Sequence, residues 1–495
     1  MKLHIEGNIN EYYVQTLCMI FFPGEKFTKE EEEGAPRLYL SVEETEAEIT
    51  ATVRLCYRGK EASATKSSPM REDLGLDRTR KIVTGRAVVS AASELLHYRP
   101  SWGMLTGVRP SKVATELLLA GMSKTKTRRA LAADYLVTPK KAALATDVAL
   151  REMAIIGTPD PRDCSIYISI PFCPTRCSYC SFVSYTSKRL LSLIPSYLEL
   201  LCREVRQKFA TAKELGLRVL TVYIGGGTPT ILDADQLRTL LATVKECTDV
   251  SALQEYTLES GRPDTITEEK MRIAKEYGVT RVCVNPQTLC DEVLRGVGRC
   301  HSTDDFYRAY DIARRAGINC INTDLIVGLP GDNFATFAES FDKILELAPE
   351  NITVHTFCVK RAAEILREGN RVYNLRGGDA GKCVDYSQIR AAELGYQPYY
   401  MYRQKNMVGN FENVGFAREG TECLYNIYMM EEVHSILAAG AGAVTKLVEY
   451  APAATGKKSV IRRLFNPKYP YEYLESDGGA AQSDQIVQFY RERGL

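Results

Sequence analysis

Apolar and polar positions change period twice along this chain. Up to about residue 60 they alternate, in runs at 12–22, 37–42 and 47–57 separated by Gly-rich or acidic turns. That period of two predicts a small β unit over 1–60. From 61 to 156 the spacing becomes helical, with candidate helices at 81–96, 111–119, 124–136 and 139–156. Ser111 follows a proline and sits where an N-cap is wanted. Residues 157–163, rich in Gly, Pro and Asp, read as a linker. Beyond them, short β-branched runs at 165–170, 219–224, 255–259, 281–284, 320–327 and 352–357 alternate with helical segments at 190–208, 234–246, 268–277, 303–316 and 334–347. Six such units imply a parallel sheet with crossover helices, curled into a partial (β/α)6 barrel over 164–370. The fold class is α/β, with an N-terminal α+β domain and a C-terminal α/β extension over 371–495 that is expected to contribute to a substrate pocket.

In such barrels chemistry sits at the C-terminal ends of the strands. The first strand runs into Cys173-Pro174-Thr175-Arg176-Cys177-Ser178-Tyr179-Cys180, and the second ends in Gly225-Gly226-Gly227-Thr228-Pro229. The third ends at Glu259 and the fourth at Asn285-Pro286-Gln287. The fifth carries Asp324, and the sixth reaches His355. Unrelated motifs at equivalent ends of successive strands mark one rim as the functional one.

Composition narrows the possibilities. With 63 basic and 62 acidic residues the net charge is +1, so nothing global favours nucleic acid or a membrane surface. The basic run Lys124-Thr125-Lys126-Thr127-Arg128-Arg129 reads as a solvated helix face. No leader-like apolar stretch opens the chain, and the run at 17–22 is too short to span a bilayer, so a cytoplasmic protein without membrane insertion is expected. Fifteen scattered cysteines fit a reducing compartment, most of them as small buried hydrophobes.

Cys173, Cys177 and Cys180 differ from the rest in their spacing. Zinc usually takes four ligands, and no second Cys pair or suitable His lies nearby. Three cysteines within eight residues cannot all form disulfides. On one tight loop they suit three irons of a four-iron cluster, leaving the fourth open to a ligand. Zinc or inert thiols are the alternatives. The glycine run lets backbone approach a bound molecule, or simply makes a tight turn. Glu259 could pair a cation or a hydroxyl, or be an ordinary ion-paired strand end. Gln287, Arg299 and Asp324 offer an amide, a cation and an anion suited to ribose hydroxyls, a carboxylate and an ammonium.

The cysteine loop resembles the cluster motif of the radical S-adenosylmethionine (radical SAM) enzymes, and residues 225–229 resemble their GGGTP motif. Segments 294–301 and 322–330 resemble blocks of one branch, which contains the oxygen-independent coproporphyrinogen III dehydrogenases HemN and HemZ and the haem chaperone HemW. Segments 105–112, 170–175, 400–407 and 437–443, with Asn466-Pro467-Lys468 and Tyr473, resemble HemZ-type members, so the likeness covers nearly the whole chain.

The resemblance implies a [4Fe–4S] cluster on the three cysteines and one SAM, or two as in HemN. SAM contacts fall on Tyr167, Phe182, Gly226, Gly227, Thr228, Glu259, Gln287, Arg299 and Asp324. It also implies oxidative decarboxylation of two propionates of coproporphyrinogen III to the vinyls of protoporphyrinogen IX. A low-potential donor such as flavodoxin or ferredoxin would supply the electron. Two positions depart from HemN: Phe182 replaces a further cysteine, as in the chaperones, and Ser169 replaces the usual histidine. They keep haem binding of the HemW type as the alternative; a cluster-bearing RNA-modifying enzyme is a third and weaker one. A substrate with four propionates needs cations beside apolar walls, and His355, Lys360, Arg361, Tyr402, Arg403 and Lys405 are the candidates. His355 and His301 could also serve as acid, base or haem ligand.

Overall fold

The computed structural model describes residues 1–30, 32–71, 74–358, 378–404, 407–451 and 459–494. They form two compact units. The first takes Met1–Leu150 with Met401–Glu412; the second begins at Arg151 and takes in Asp379–Tyr400 and Asn413–Leu495.

In the first unit β1 (Lys2–Glu6), β2 (Arg37–Glu44), β3 (Glu48–Tyr57) and β4 (Lys60–Pro69) make one sheet in that order, β1 parallel to β2 and the others antiparallel. Alternation decides the faces: Ile49, Ala51, Val53 and Leu55 of β3 are buried, while the residues between them turn outward.

The run at 12–22 is a helix instead. Asn10 accepts from the Tyr13 N–H at 3.2 Å and caps Glu11–Phe21, which buries Val14, Leu17, Cys18 and Phe21. Those four stand at i, i+3, i+4 and i+7, so over so short a window the same residues carry a helical stripe, and packing selects it. Pro110, not Ser111, holds the N-cap place of the helix Ser111–Leu119, and Ser111 becomes its buried first residue. Segment 401–412, expected within the C-terminal extension, belongs to this first unit. The buried Trp102 indole donates to Glu412 at 2.7 Å, and the buried Lys141 ammonium lies 2.7 Å from the other carboxylate oxygen.

The second unit holds six parallel strands: β5 (Asp163–Ile170), β6 (Arg218–Gly226), β7 (Glu255–Leu258), β8 (Arg281–Cys283), β9 (Cys320–Val327) and β10 (Asn351–Thr356). Between them run the helices Ile194–Glu214, Ala234–Cys247, Glu268–Glu276, Thr303–Arg315 and Phe334–Glu346. Side-chain caps start several of these; Asp233 with Gln236 and Ser302 with Asp305 form reciprocal capping boxes. This is the expected partial (β/α)6 barrel.

The C-terminal part extends the sheet at both ends. β11 (Gln397–Tyr402) and β12 (Asn413–Ala417) lie beyond β10, while β13 (Ser435–Ala439), β14 (Val444–Glu449) and β15 (Val460–Phe465) lie beyond β5. One face of the parallel strands is aliphatic and fully buried, as at Ile166, Ile168, Val222, Ile224, Leu258 and Val282. Their alternates include Tyr167, Tyr223 and Asp324.

Candidate active site

The loop after β5 is closed at its neck. Phe172 bridges Tyr185; the Cys173 N–H donates to the Tyr185 carbonyl at 3.1 Å, and the Tyr185 N–H to the Pro171 carbonyl at 2.9 Å. Within it Cys173 and Cys177 are buried, Cys180 is half-buried, and none forms a disulfide. Neighbouring strand ends donate to the sulfurs. The Thr228 hydroxyl reaches Cys173 Sγ at 3.3 Å, and Arg262 Nη1 lies 3.6 Å from Cys177 Sγ while also donating to the Thr175 carbonyl at 3.3 Å. Arg299 Nε donates to the Tyr179 hydroxyl at 3.1 Å, and the Ser178 N–H to the Val297 carbonyl at the same distance. Burial pushes the Cys173 and Cys180 thiols up; the Thr228 hydroxyl and the Phe182 N–H pull the other way.

The glycine run is more than a turn. A Cβ on Gly227 would meet the Phe172 carbonyl at 2.5 Å and Cys173 Sγ at 2.9 Å, and Gly226 has φ +111°. Only glycine lets this backbone lie against the cysteine loop, where the Gly227 N–H donates to the Ile170 carbonyl at 2.8 Å.

Glu259 lies beside it, an atom of its carboxyl 2.6 Å from where a Gly225 Cβ would stand. Burial raises its pKa to about 8, with the Asp324 charge adding to the effect and hydrogen bonds from the Gly226 N–H and the Tyr223 hydroxyl opposing it. Tyr223 belongs to a stack with Tyr167 and Tyr425, the Tyr223 and Tyr425 rings being 4.5 Å apart. Asp324 receives the Asn285 and Asn322 amides at 2.8 and 2.7 Å, and His355 Nε2 stands 3.5 Å from it. Gln287, at φ +70°, is held by backbone bonds to Asp324 and Ile326, and its buried Oε1 has no partner among the described residues. A strained residue presenting an unpaired buried acceptor is what a ligand site retains.

Not every expected residue joins this cluster. Phe182 is 68% exposed. Arg403 belongs to the first unit, where its buried guanidinium donates to the Leu105 carbonyl at 2.6 Å and to Asn410, and lies over the Trp102 ring at 5.8 Å. Burial lowers its pKa to about 10. Two of the donors of Arg403, which was expected to meet a propionate, thus serve packing within the first unit, and its buried Nε has no partner among the described residues. Tyr402 is also in the first unit. Lys360, Arg361 and Lys405 lie outside the described residues. His301 is buried, and burial with the neighbouring Arg299 lowers its pKa to about 4, so it is a neutral ring at physiological pH. Residues the sequence reading passed over are Arg262, Asn285, Tyr223 and Tyr179. Arg262 stands three residues after Glu259, and Asn285 opens the Asn-Pro-Gln segment, so both were within reach.

Residues 167–344 match the Radical SAM superfamily. The chain is 40% identical over 76% of its length, and 74% of the relative's, to the oxygen-independent coproporphyrinogen-III oxidase-like protein HemZ of Bacillus subtilis. The chain belongs to the HemZ family of radical SAM proteins. It is also 30% identical to the haem chaperone HemW of the same organism, over 62% of this chain and 77% of that one. Coproporphyrinogen III oxidase (HemN) from Escherichia coli has a similar structure, with 21% identity and a TM-score of 0.47 over 59% of this chain and 67% of that one.

The cofactors of a HemZ-family radical SAM protein are a [4Fe–4S] cluster and SAM, and the residues fit them. Among the described residues no three His, Cys, Asp or Glu side chains converge as on a single ion. A cluster asks for something else: one thiolate for each of three irons, ringing a space rather than meeting at a point. Three free thiols on one loop, hydrogen-bond donors aimed at two of the sulfurs, and a glycine surface against the loop meet that requirement.

Proposed function

We propose that this protein carries out the oxidative decarboxylation of coproporphyrinogen III to protoporphyrinogen IX. A [4Fe–4S] cluster held by Cys173, Cys177 and Cys180, with SAM beside it, would supply the radical chemistry that removes hydrogen from a propionate side chain. The observation that carries the reading is the meeting of the cysteine loop, the glycine surface, Glu259, Gln287 and Asp324 on one rim of the barrel, in a chain 40% identical to HemZ.

Cys173, Cys177 and Cys180 hold the metal. Arg262 donates to one sulfur and so favours the extra negative charge of a reduced cluster. Gly226 and Gly227 admit the methionyl part of SAM, and Thr228 fixes the loop beneath it. Gln287 offers an unpaired carbonyl, and Glu259, with no Lys or Arg paired to it among the described residues, forms with Asp324 an acidic pair suited to an ammonium and to ribose hydroxyls. Arg299 ties Tyr179 of the loop to the Gly261 carbonyl, 3.4 Å away. His355, beside Asp324, is the candidate for the substrate side. A low-potential donor such as flavodoxin or ferredoxin supplies the electron. A cytoplasmic setting is supported by fifteen free cysteines, and no helix among the described residues is long and apolar enough to cross a membrane.

Anaerobically reconstituted protein given SAM, a strong reductant and coproporphyrinogen III should release carbon dioxide and form vinyl product. SAM cleavage without either would sink the decarboxylase reading. Stoichiometric haem binding in its place would establish the chaperone reading, which the 30% identity to HemW and the exposed Phe182 favour. Cys177→Ala should abolish the brown chromophore.

A further inference from the structure

We propose that Tyr197 and Glu204, on the helix Ile194–Glu214, fasten segment 466–473 behind the cysteine loop as a clasp that sets how firmly the loop keeps its cluster. The inference rests on the cluster assignment above.

The loop has little hydrogen-bonded structure of its own, and its buried anchor is Phe172, next to Cys173. The Tyr197 ring meets Phe172 edge-on at 5.1 Å. Its hydroxyl donates to the Ser169 carbonyl at 2.8 Å and accepts from the Ala441 N–H at 2.9 Å, joining the end of β5 to the turn after β13. That turn has to approach closely: a Cβ on Gly440 would meet the Ser169 carbonyl at 2.5 Å and the Tyr197 hydroxyl at 2.8 Å.

Two turns of helix further on sits Glu204, wholly buried. Its carboxylate accepts from the Gly440 N–H at 2.8 Å, the Asn466 amide at 2.9 Å and the Tyr473 hydroxyl at 2.7 Å, with the buried Lys208 ammonium 3.7 Å away. A buried carboxylate with three donors and a counter-ion is rigid, because loosening any partner exposes charge to a low dielectric. The fastened segment then returns to the loop from outside: Tyr185, at the loop's neck, donates to the Lys468 carbonyl at 3.0 Å and packs beside Tyr469. The loop is thus held at its neck from two sides, through Phe172 and through Tyr185, by one hydrogen-bonded unit whose side chains bond no cysteine sulfur.

The test is the rate at which a ferrous chelator strips iron from reconstituted, reduced protein, read beside the electron paramagnetic resonance spectrum with and without SAM. Tyr197→Phe keeps the ring on Phe172 and deletes only the hydroxyl. Tyr185→Phe, at a partly exposed site, removes only the Lys468 bond and decides the matter should Tyr197→Phe fail to fold. Each should release iron roughly tenfold faster, as expected for losing a hydrogen bond that opposes local opening, and should broaden the spectrum. Tyr310→Phe, whose hydroxyl bonds the Leu347 carbonyl instead, should cost fold stability without either change. Wild-type release rates and spectra in both loop variants would overturn the clasp. If Cys177→Ala kept its cluster, the cysteine assignment itself would be at fault, a different result from an intact cluster that the clasp variants do not loosen.

Discussion

Strand β7 carries two glutamates at its two ends, and the protein treats them in opposite ways. At the start of the strand, Glu255 accepts from the Leu424 N–H at 2.8 Å and the Tyr425 N–H at 3.3 Å, capping the helix Leu424–Glu431, and pairs with Arg281 at 3.4 Å. Just past the other end, Glu259 has no cation among the described residues and faces a second carboxylate, Asp324. Glu255 is buried and Glu259 partly so. The first is a completed structural joint. The second is left incomplete, and an incomplete, partly buried site is one a cationic, hydrogen-bonding ligand can finish.

The contrast breaks most readily at its structural end. Arg281→Ala would leave Glu255 buried without its cation and should cost about 3–5 kcal/mol in denaturant unfolding. A loss under 1 kcal/mol would show that the joint does not depend on its charges.

At the other end the signature is pH. In the ligand-free protein Glu259 titrates near 8 when folded, against 4.5 for the ordinary group. The folded chain therefore keeps a proton that the unfolded chain has already lost. Stability from this group is complete below pH 4.5, falls by roughly 1.4 kcal/mol per unit through the window, and is gone above pH 8. Glu259→Gln should remove that contribution to the slope, should raise stability at pH 7 by up to about 3 kcal/mol because the proton uptake that costs the folded chain there is gone, and should weaken SAM binding measured by calorimetry. An unchanged slope would mean that Glu259 is already ionised. The smallest effect belongs to Asp324→Asn, which should move the upper edge of the window to lower pH, because one of the two influences raising the Glu259 pKa is gone.

The barrel was legible because parallel strands with crossover helices write their period into sequence, and the motifs fall at strand ends where residues are freed from packing. Glu259 and Asp324 were found that way. The capping of the helix Leu424–Glu431 by Glu255 was not, since it joins positions some 170 apart, with no local signal. Arg403 misled for the same reason. An arginine among tyrosines suggests a propionate site, and only contact with Leu105, 298 residues away, shows that part of its guanidinium is engaged in packing. The helix Glu11–Phe21 was missed because a run of eleven residues can satisfy both periods.

The place of β5 in the sheet has a consequence for the order of assembly. The strand that leads into the cysteine loop is flanked by β6 on one side and β13 on the other, and the Ser169 hydroxyl bonds the Ala441 carbonyl 272 residues downstream. At ordinary translation speeds of about 5–20 residues per second, roughly 15–50 s separate synthesis of the loop from synthesis of its last neighbours. During that interval β5 is an open edge and the three thiols are unshielded. Iron delivered to the nascent chain would meet a half-built cage, so metal loading belongs after release from the ribosome, once β13 has closed the sheet.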